Sequence, residues 1–193
     1  MMYKNKPFIL NLLSIACAIL FLGACQQEEK KQAEEQETGP GYFSIKEFAA
    51  DQFETFWGQP FTLQKIIHLN GKTDTLYKDA YNMEWGEILK LFFETDISAP
   101  EFLGKYQFSD FEDNITQTRN FYYEAIDPKL FTQKLQIMVD PFSLKIKSIY
   151  IETSSEQKQG KLLYIPLKTI QIQEYSNSFT AGEKTLQIEY RFL

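Results

Sequence analysis

Residues 184–192 read KTLQIEYRF, and this stretch indicates a β-strand with one buried face. Apolar and polar side chains alternate along it, which places every apolar side chain on the same side of an extended chain. The apolar set is Leu186, Ile188, Tyr190 and Phe192. A strand of this kind needs neighbours to pair with, so we expect the preceding sequence to supply the rest of a sheet.

Five upstream segments have the composition of further strands. They are residues 119–126, 132–139, 144–152, 161–167 and 169–174. Asp127-Pro128, Asp140-Pro141 and Gly182 provide turn residues between strands. Pro166 limits its strand to an edge, a bulge or a break. Because the links are short and no helix separates the segments, the strands are predicted to pair antiparallel as a meander.

Residues 61–78 read FTLQKIIHLNGKTDTLYK and predict a β-hairpin. The first half alternates, with Leu63 and Ile67 on one side and His68 on the other. Asn70-Gly71 supplies the positive φ angles of a type I′ turn, and residues 73–78 are expected to return as the paired strand.

Two helices are predicted on either side of this hairpin. The first starts at Ser44, which caps it together with Glu47, and ends before Gly58 and Pro60. Phe43 and Phe48 are positioned to contact each other across the cap. The second is predicted over residues 82–94, with Asn82 as its cap. The predicted fold class is therefore α+β, a curved antiparallel β-sheet meander with two helices packed on one face.

The amino terminus predicts a lipoprotein signal peptide over residues 1–24. Lys4 and Lys6 precede a short apolar run, which is the anatomy of a secretory signal and is shorter than a membrane span. Leu22-Gly23-Ala24-Cys25 is a bacterial lipobox motif. We therefore expect cleavage before Cys25, with a diacylglyceryl group on its thiol and an acyl chain on the new amino terminus. Because several acyl chains anchor a protein stably, we expect the protein to be attached to the membrane by the lipid on Cys25.

Residues 25–41 are predicted to be the lipidated Cys25 and a disordered acidic tether. The sequence QQEEKKQAEEQETGPG has no aromatic or branched apolar residue with which to build a core. Gln26 differs from the Asp that retains enterobacterial lipoproteins in the inner membrane, and the Glu pairs resemble surface-export signals. The expected location is the outer membrane, on its periplasmic or its surface-exposed face. Residues 42–193 are predicted to form a single α+β domain.

The composition excludes several classes of chemistry. The net charge of -6 argues against nucleic-acid binding, which relies on basic residues. One His and two Cys, of which Cys17 lies in the signal, leave no ligand set for zinc, haem or iron–sulfur clusters. No cofactor and no metal site is therefore predicted. Aromatic residues make up 16% of the chain, enough either to fill a large core or to line a pocket.

No catalytic residues are predicted. His68 is the only His, and no Ser in a nucleophile-elbow motif accompanies it. The group Asp110, Glu112, Asp113 and Asn114 lacks the spacing of a calcium-binding loop and is interpreted as a solvated acidic loop. Thr75 lies in Asp74-Thr75-Leu76, which resembles the O-glycosylation tripeptide of Bacteroidetes.

Four segments resemble a group of uncharacterised Bacteroidetes lipoproteins that combine a lipobox signal with an α+β domain. The segments are Tyr42-Phe43-Ser44-Ile45-Lys46, Asn70-Gly71-Lys72-Thr73, Trp85-Gly86-Glu87-Ile88-Leu89 and Asp96-Ile97-Ser98-Ala99-Pro100. The resemblance covers residues 42–193, although Ser98-Ala99 departs from the more polar pair of that group. It implies a location and a fold, and it brings no activity to this chain.

Three functions follow as hypotheses. The first is a non-enzymatic, membrane-anchored binding or assembly module, with an aromatic-rich concavity for an apolar ligand, as in the lipoprotein carriers LolA and LolB. Its lining would include Trp57, Phe61, Trp85 and Phe92, unless these residues pack in the core. The second is an accessory subunit that docks to an outer-membrane protein complex through exposed aromatics or a strand edge. The third is a carboxylate-based hydrolase, which would need converging carboxylates.

Overall fold

The computed structural model describes residues 41–178 and 182–193. The predicted signal peptide, Cys25 and the tether up to residue 40 lie outside the described residues. Residues 42–193 form one compact unit that contains every helix, strand and core residue described. Because this segment holds its own hydrophobic core, it has what a domain needs to fold by itself. Within the described ranges, no helix is long and apolar enough to cross a membrane.

The strands form one open antiparallel sheet, and two α-helices pack on it, which confirms the predicted fold class. The helices are α1 (Ile45–Phe56) and α2 (Trp85–Phe93). The strands are β1 (Thr62–Leu69), β2 (Lys72–Asp79), β3 (Tyr106–Asp113), β4 (Thr118–Ala125), β5 (Thr132–Val139), β6 (Ile146–Ser154), β7 (Lys158–Ile165), β8 (Thr169–Ser178) and β9 (Gly182–Phe192).

The strand order is β2-β1-β9-β8-β7-β6-β5-β4-β3. After the first hairpin, the chain passes through α2 to the far edge of the sheet and returns as a meander. Strand β9 therefore ends beside β1, with Ile67 opposite Ile188 and Leu69 opposite Leu186. The edge strand β2 is largely exposed and carries charged side chains, which discourage further strand pairing.

The turn between β1 and β2 is the predicted one. Asn70 and Gly71 both have positive φ, at 47° and 81°, as a type I′ turn requires. The Asn70 amide donates to the Thr185 carbonyl at 3.1 Å, and the Asn70 side chain accepts from the Thr185 amide at 3.2 Å. The turn is therefore fixed to β9 as well as closing the hairpin.

Helix α1 begins as the sequence predicts. The Ser44 hydroxyl accepts a hydrogen bond from the Glu47 amide at 3.1 Å, and the rings of Phe43 and Phe48 lie 6.4 Å apart. The helix ends at Phe56, and Gly58 follows with a φ of 75°. Ser44 thus satisfies one of the amides that the first turn leaves without a helical partner.

We expect Ser44→Ala to lower the free energy of unfolding by about 1 kcal/mol, because the Glu47 amide loses its acceptor. Urea unfolding followed by circular dichroism measures the loss. Ser44→Asp keeps a capping oxygen and serves as the control. Equal stability of Ser44→Ala and the unaltered domain would contradict the capping role.

Helix α2 begins later than predicted. Residues 80–82 form a short 3₁₀ turn, and the helix starts at Trp85 with Glu84 as its cap, so Asn82 is not the cap. The reason is the indole of Trp85, whose nitrogen donates to the Ala80 carbonyl at 2.9 Å. This buried bond holds residues 80–84 in a turn that the helical pattern does not reveal.

The acidic cluster interpreted as a loop is instead strand β3 with its following turn. Asp110 lies on β3, opposite Phe121 of β4, and its carboxylate accepts from the Arg119 Nε at 2.9 Å. Phe108 shares one face of the strand with Asp110 and Glu112, and Phe111 lies on the other face with Asp113. The loop prediction was wrong because cross-strand pairing with an Arg makes an acid-rich edge strand acceptable.

Both helices lie against the same face of the sheet, which we call the covered face. It is defined by Leu63, Leu135, Ile149, Tyr164 and Ile170, all of them buried. The other face, which we call the open face, carries mainly polar side chains. The hydrophobic core therefore lies between the helices and the covered face.

Candidate ligand-binding cleft

The helices cover one end of the covered face more closely than the other. Along β7, Tyr164 is buried and its hydroxyl bonds to Gln52 of α1, whereas Gly160 farther along is half-buried. Along β9, Tyr190 is buried, whereas Ile188 and Leu186 are half-buried. Since side chains two apart on a strand share a face, an apolar strip of sheet continues beyond the core.

A cleft of about 480 Å³ lies where α2 passes over this strip. Its volume falls in the range of small-molecule sites, about 300–1,000 Å³. The apolar lining comes from both walls. From the sheet it comprises Leu162, Ile172, Leu186, Ile188 and Tyr190, and from the side of the helix it comprises Met83, Ile88 and Leu91. Phe131, the residue before β5, completes it.

Hydrogen bonds fix α2 at both of its ends. At the start, Trp85 bonds to Ala80 and stacks on Phe56, with ring centroids 4.7 Å apart. Just after the end, the buried Thr132 hydroxyl donates to the Thr95 carbonyl at 3.0 Å. The middle of the helix, with Ile88 and Leu91, forms the wall of the cleft. The cleft is thus shaped by an element that the core holds in place.

Gly160 lies at one end of the cleft. It pairs with Thr153 of β6 and with Glu174 of β8, and all three residues line the cleft. A β-carbon at Gly160 would overlap the Thr153 hydroxyl. Glycine is therefore required for these strands to pair with Thr153 in this position, because the Thr153 hydroxyl occupies the place that a β-carbon at residue 160 would take.

The charged groups of the cleft separate into two sets. Glu84, Glu87 and Glu94 come from α2 and its flanks, and all three are exposed to water. Lys65 and Lys78 come from the sheet and are half-buried. Lys158 also lines the cleft, but it is bound to Glu174 at 3.0 Å.

Tyr190 lies next to Lys65 in the cleft wall. Their backbones pair directly, and the Lys65 Nζ lies 5.3 Å from the centre of the Tyr190 ring. Burial, and to a smaller extent the negative charge of Glu84, raises the pKa of Tyr190 to about 12. The tyrosine is therefore neutral near pH 7, and the ammonium of Lys65 lies over its face as a cation–π contact.

The four aromatic residues predicted to line a pocket are not among the residues that line this cleft. Trp85 and Phe92 are buried in the core, and Phe61 packs against Phe56 and Phe192. Trp57 is 67% exposed and lies beside Phe53. The predicted set thus divides between core packing and the outer surface.

The other candidate residues are separate from the cleft. His68 is half-buried on β1, and its Nδ1 lies 2.7 Å from the Thr73 hydroxyl. Thr75 is exposed on the edge strand β2, where a modifying enzyme has access to it. Over residues 41–178 and 182–193, no group of three or more His, Cys, Asp or Glu side chains is placed to hold a metal ion.

Glu189 is the most buried carboxylate described, and it lies on the open face. Arg191 donates two hydrogen bonds to it, at 2.8 and 2.9 Å, and Gln171 and Thr169 donate at 3.3 and 3.4 Å. These donors, Arg191 foremost, hold the pKa of Glu189 below its ordinary value although burial opposes them. The hydrogen-bonding capacity of this carboxylate is thus used by the chain's own side chains, and Glu189 and Arg191 form a structural ion pair.

The depressed pKa of Glu189 predicts a loss of stability in acid. In the relevant pH range, which lies below the ordinary Glu pKa of 4.5, the unfolded chain binds the proton more readily than the folded one. The stabilisation is therefore complete above that value and is lost as the pH falls through the folded-state pKa. Glu189→Gln should flatten the dependence of unfolding free energy on pH, measured by urea titration at several acidic pH values. The exposed Glu101→Gln is the control, and an unchanged slope in Glu189→Gln would contradict the prediction.

The sequence contained a sign of the cleft that aromatic content does not give. Lys65 stands between Leu63 and Ile67 on the apolar side of β1. A charge on the buried face of a strand is costly unless it has a partner or reaches an opening. Lys65 was therefore a better indicator of the cleft than Trp57 or Trp85.

Comparisons of the chain with protein families, curated proteins and solved structures find no significant match.

Proposed function

We propose that this chain is a membrane-anchored lipoprotein, at the outer membrane or cell surface, whose domain is a non-enzymatic binding module for an apolar ligand. The observation that supports the proposal is the cleft of about 480 Å³ between α2 and the sheet. Its apolar lining is mostly aliphatic, its exposed glutamates come from α2 and its flanks, and Lys65 and Lys78 are half-buried in it. An apolar molecule bound there would remove its own surface and that of Leu186 and Ile188 from water, at about 25 cal/mol per Å².

The architecture suits binding more than catalysis. The cleft presents exposed glutamates on the helix side, and the buried carboxylate Glu189 is on the opposite face of the sheet with four donors from the chain. A hydrolase needs converging groups with matched pKa values beside the substrate. The described lining supplies apolar contact area instead, and contact area is what holds an apolar ligand.

The proposed anchor is the lipid on Cys25, which gives the domain a place beside a membrane. A domain tethered in this way stays close to a source of apolar molecules. Intact-mass measurement of the unaltered protein should show that it begins at Cys25 and carries the acyl groups, and Cys25→Ser should abolish both the acyl groups and the cleavage. A mass without acyl groups on Cys25 would contradict the lipid anchor. The same measurement would show any sugar on Thr75.

Binding is tested with N-phenylnaphthylamine, an uncharged apolar probe that fluoresces when it leaves water. Residues 42–193 are used, because they contain the whole core and because omitting the lipid avoids detergent. We expect saturable fluorescence with one binding site. Leu91→Trp places an indole, which is larger than the leucine side chain, in the cleft from the helix side and should weaken binding. Phe142→Trp, at a position 95% exposed and outside the cleft, should not weaken it. Non-saturable fluorescence, or equal binding by both variants, would contradict the proposal.

One observation favours the second function, docking to a protein complex. Strand β3 is an edge of the sheet, and Phe108 and Phe111 on it are 51% and 48% exposed. An incoming strand that paired with β3 would cover both rings. A photo-crosslinker at position 111 in cells should then give one dominant product that is absent with the crosslinker at position 142. Identical products at both positions would contradict docking through β3.

A further inference from the structure

Lys65 and Lys78 are neighbours on the covered face of the sheet. In the β1–β2 register, Lys65 is opposite Leu76 and Lys78 is opposite Leu63, so the two lysines are diagonal partners. Diagonal side chains on one face of an antiparallel pair lie about 7–8 Å apart. Both line the same end of the cleft and both are half-buried. Two positive charges are thus brought together beside an apolar strip.

The ammonium of Lys65 is held inside the cleft. A surface lysine ordinarily covers apolar surface with its stem and extends its charge into water. Here the Nζ lies 5.3 Å from the centre of the Tyr190 ring, and Tyr190 is buried in the cleft wall. The charge therefore faces the cleft.

Neither lysine has a carboxylate partner in the part of the chain that the structure describes. The ion pairs formed there by lysines are those of Lys134, Lys147 and Lys158. Lys158 shows the contrast, because it borders the same cleft and is neutralised by Glu174. Two half-buried cations without an anion leave a site that an anion from outside would complete.

The glutamates of the cleft do not take this place. Glu84, Glu87 and Glu94 are exposed on the helix side, and none lies within ion-pair distance of Lys65 or Lys78. Water screens exposed charges more strongly than charges in a partly buried site. An anion bound between the lysines would therefore be attracted more by them than it is repelled by the glutamates.

We propose that the ligand is an anionic amphiphile with a single alkyl chain, its carboxylate held between Lys65 and Lys78 and its chain lying along the apolar strip toward Gly160. This assignment rests on the proposed binding function and specifies its ligand class. From the two lysines, the chain passes Tyr190, Ile188 and Ile172. Its far end reaches the part of the cleft that Gly160 and Thr153 line.

The test compares dodecanoate, dodecanol and dodecylamine, which share one chain length and differ in charge. Each displaces bound N-phenylnaphthylamine from residues 42–193, below the concentration at which it forms micelles. We expect dodecanoate to displace the probe at an at least tenfold lower concentration than the other two, a difference of about 1.4 kcal/mol. This preference should shrink as the salt concentration rises.

Variants separate the headgroup site from the apolar site. Lys65→Gln/Lys78→Gln should abolish the preference for dodecanoate, so that dodecanoate and dodecanol displace the probe at similar concentrations. Lys158→Gln removes a cleft lysine that is already ion-paired and should keep the preference. The single variants Lys65→Gln and Lys78→Gln show whether both charges contribute. If the double variant no longer binds the probe, the single variants take its place in the test.

The outcomes distinguish the two proposals. Equal displacement by the three amphiphiles, or stronger displacement by dodecylamine, would overturn the anionic headgroup and leave the apolar binding function standing. A preference that survives in Lys65→Gln/Lys78→Gln would overturn the assignment to these lysines. Absence of binding by the probe and by all three amphiphiles would overturn the binding function together with its ligand class.

Discussion

Replacing Phe56 with Ala is expected to lower the free energy of unfolding by about 3–5 kcal/mol, the usual cost of removing a buried Phe side chain. Phe56 is 1% exposed, and its ring contacts Trp85, Phe192 and Phe61 at centroid distances of 4.7, 5.2 and 6.2 Å. These contacts add to the loss, because aromatic pairs contribute beyond the area they bury. A domain with about 5–15 kcal/mol of total stability would lose a large part of it.

Phe142→Ala is the matched control for Phe56→Ala. Both substitutions remove the same atoms, but Phe142 is 95% exposed, so its loss should change stability by no more than about 0.5 kcal/mol. Urea unfolding of residues 42–193, followed by circular dichroism, measures both. A similar small change in the two variants would show that the cluster around Phe56 does not form the core.

The Phe56 cluster also explains why the chain is rich in aromatics. It joins α1, α2 and β9, because Phe56, Trp85 and Phe192 come from those three elements and their rings contact one another. A second group links Tyr42 to Tyr106 and Tyr123, at 6.0 and 5.3 Å. Much of the aromatic content is thus used where helices meet the sheet. The apolar part of the cleft lining is mostly aliphatic, with Phe131 and Tyr190 as its aromatic members.

Ile188→Trp is expected to weaken binding of N-phenylnaphthylamine by at least about tenfold. Ile188 lies in the sheet wall of the cleft between Ile67 and Ile172 on the neighbouring strands. An indole at this position would occupy space that the proposed ligand needs. Because Ile188 is only half-buried, the larger side chain can extend into the cleft instead of forcing the core apart. Fluorescence titration measures the change.

Gln187→Trp is the control for Ile188→Trp. It introduces the same indole one residue away, on the opposite face of β9, since successive strand residues point to opposite sides. Gln187 does not line the cleft. Circular dichroism should show both variants folded, and Gln187→Trp should bind as the unaltered domain does. Equal weakening in both would mean that binding responds to general disturbance of β9, and would contradict the cleft as the site.

The sequence predicts the fold class well because local patterns coincide with what the core requires. The alternation in residues 184–192 identifies the face that β9 buries, and Asn70-Gly71 determines the turn of the first hairpin. Ser44 marks the start of α1 to the residue. In each of these cases the signal lies within a few residues of the feature that it predicts.

Other features depend on partners that are distant in the sequence. Strand β3 escaped prediction because its acids become acceptable only when Arg119 pairs with Asp110. The start of α2 depends on the bond from Trp85 to Ala80. The pairing of β1 with β9 joins residues more than a hundred positions apart, and no local pattern specifies it.

The cleft also depends on residues that are distant in the sequence, because its position is set by where α2 crosses the sheet. Alternation shows that Leu186 and Ile188 share a face with Tyr190 and Phe192. It does not show that Tyr190 is buried whereas Leu186 and Ile188 are left half-buried. Aromatic content suggested Trp85 and Phe92 as lining residues, but large rings pack well where elements meet, and both are in the core.

Methyl NMR of residues 42–193 shows whether the cleft between α2 and the sheet binds an apolar chain. Dodecanoate is added to protein labelled at the Ile and Leu methyl groups. We expect saturable shifts at Ile172, Ile188 and Leu162, which line the cleft, and little change at the core residue Ile137 or at Ile66 on the open face. Shifts centred on Ile66, or no saturable shift at the cleft methyls, would contradict binding in the cleft.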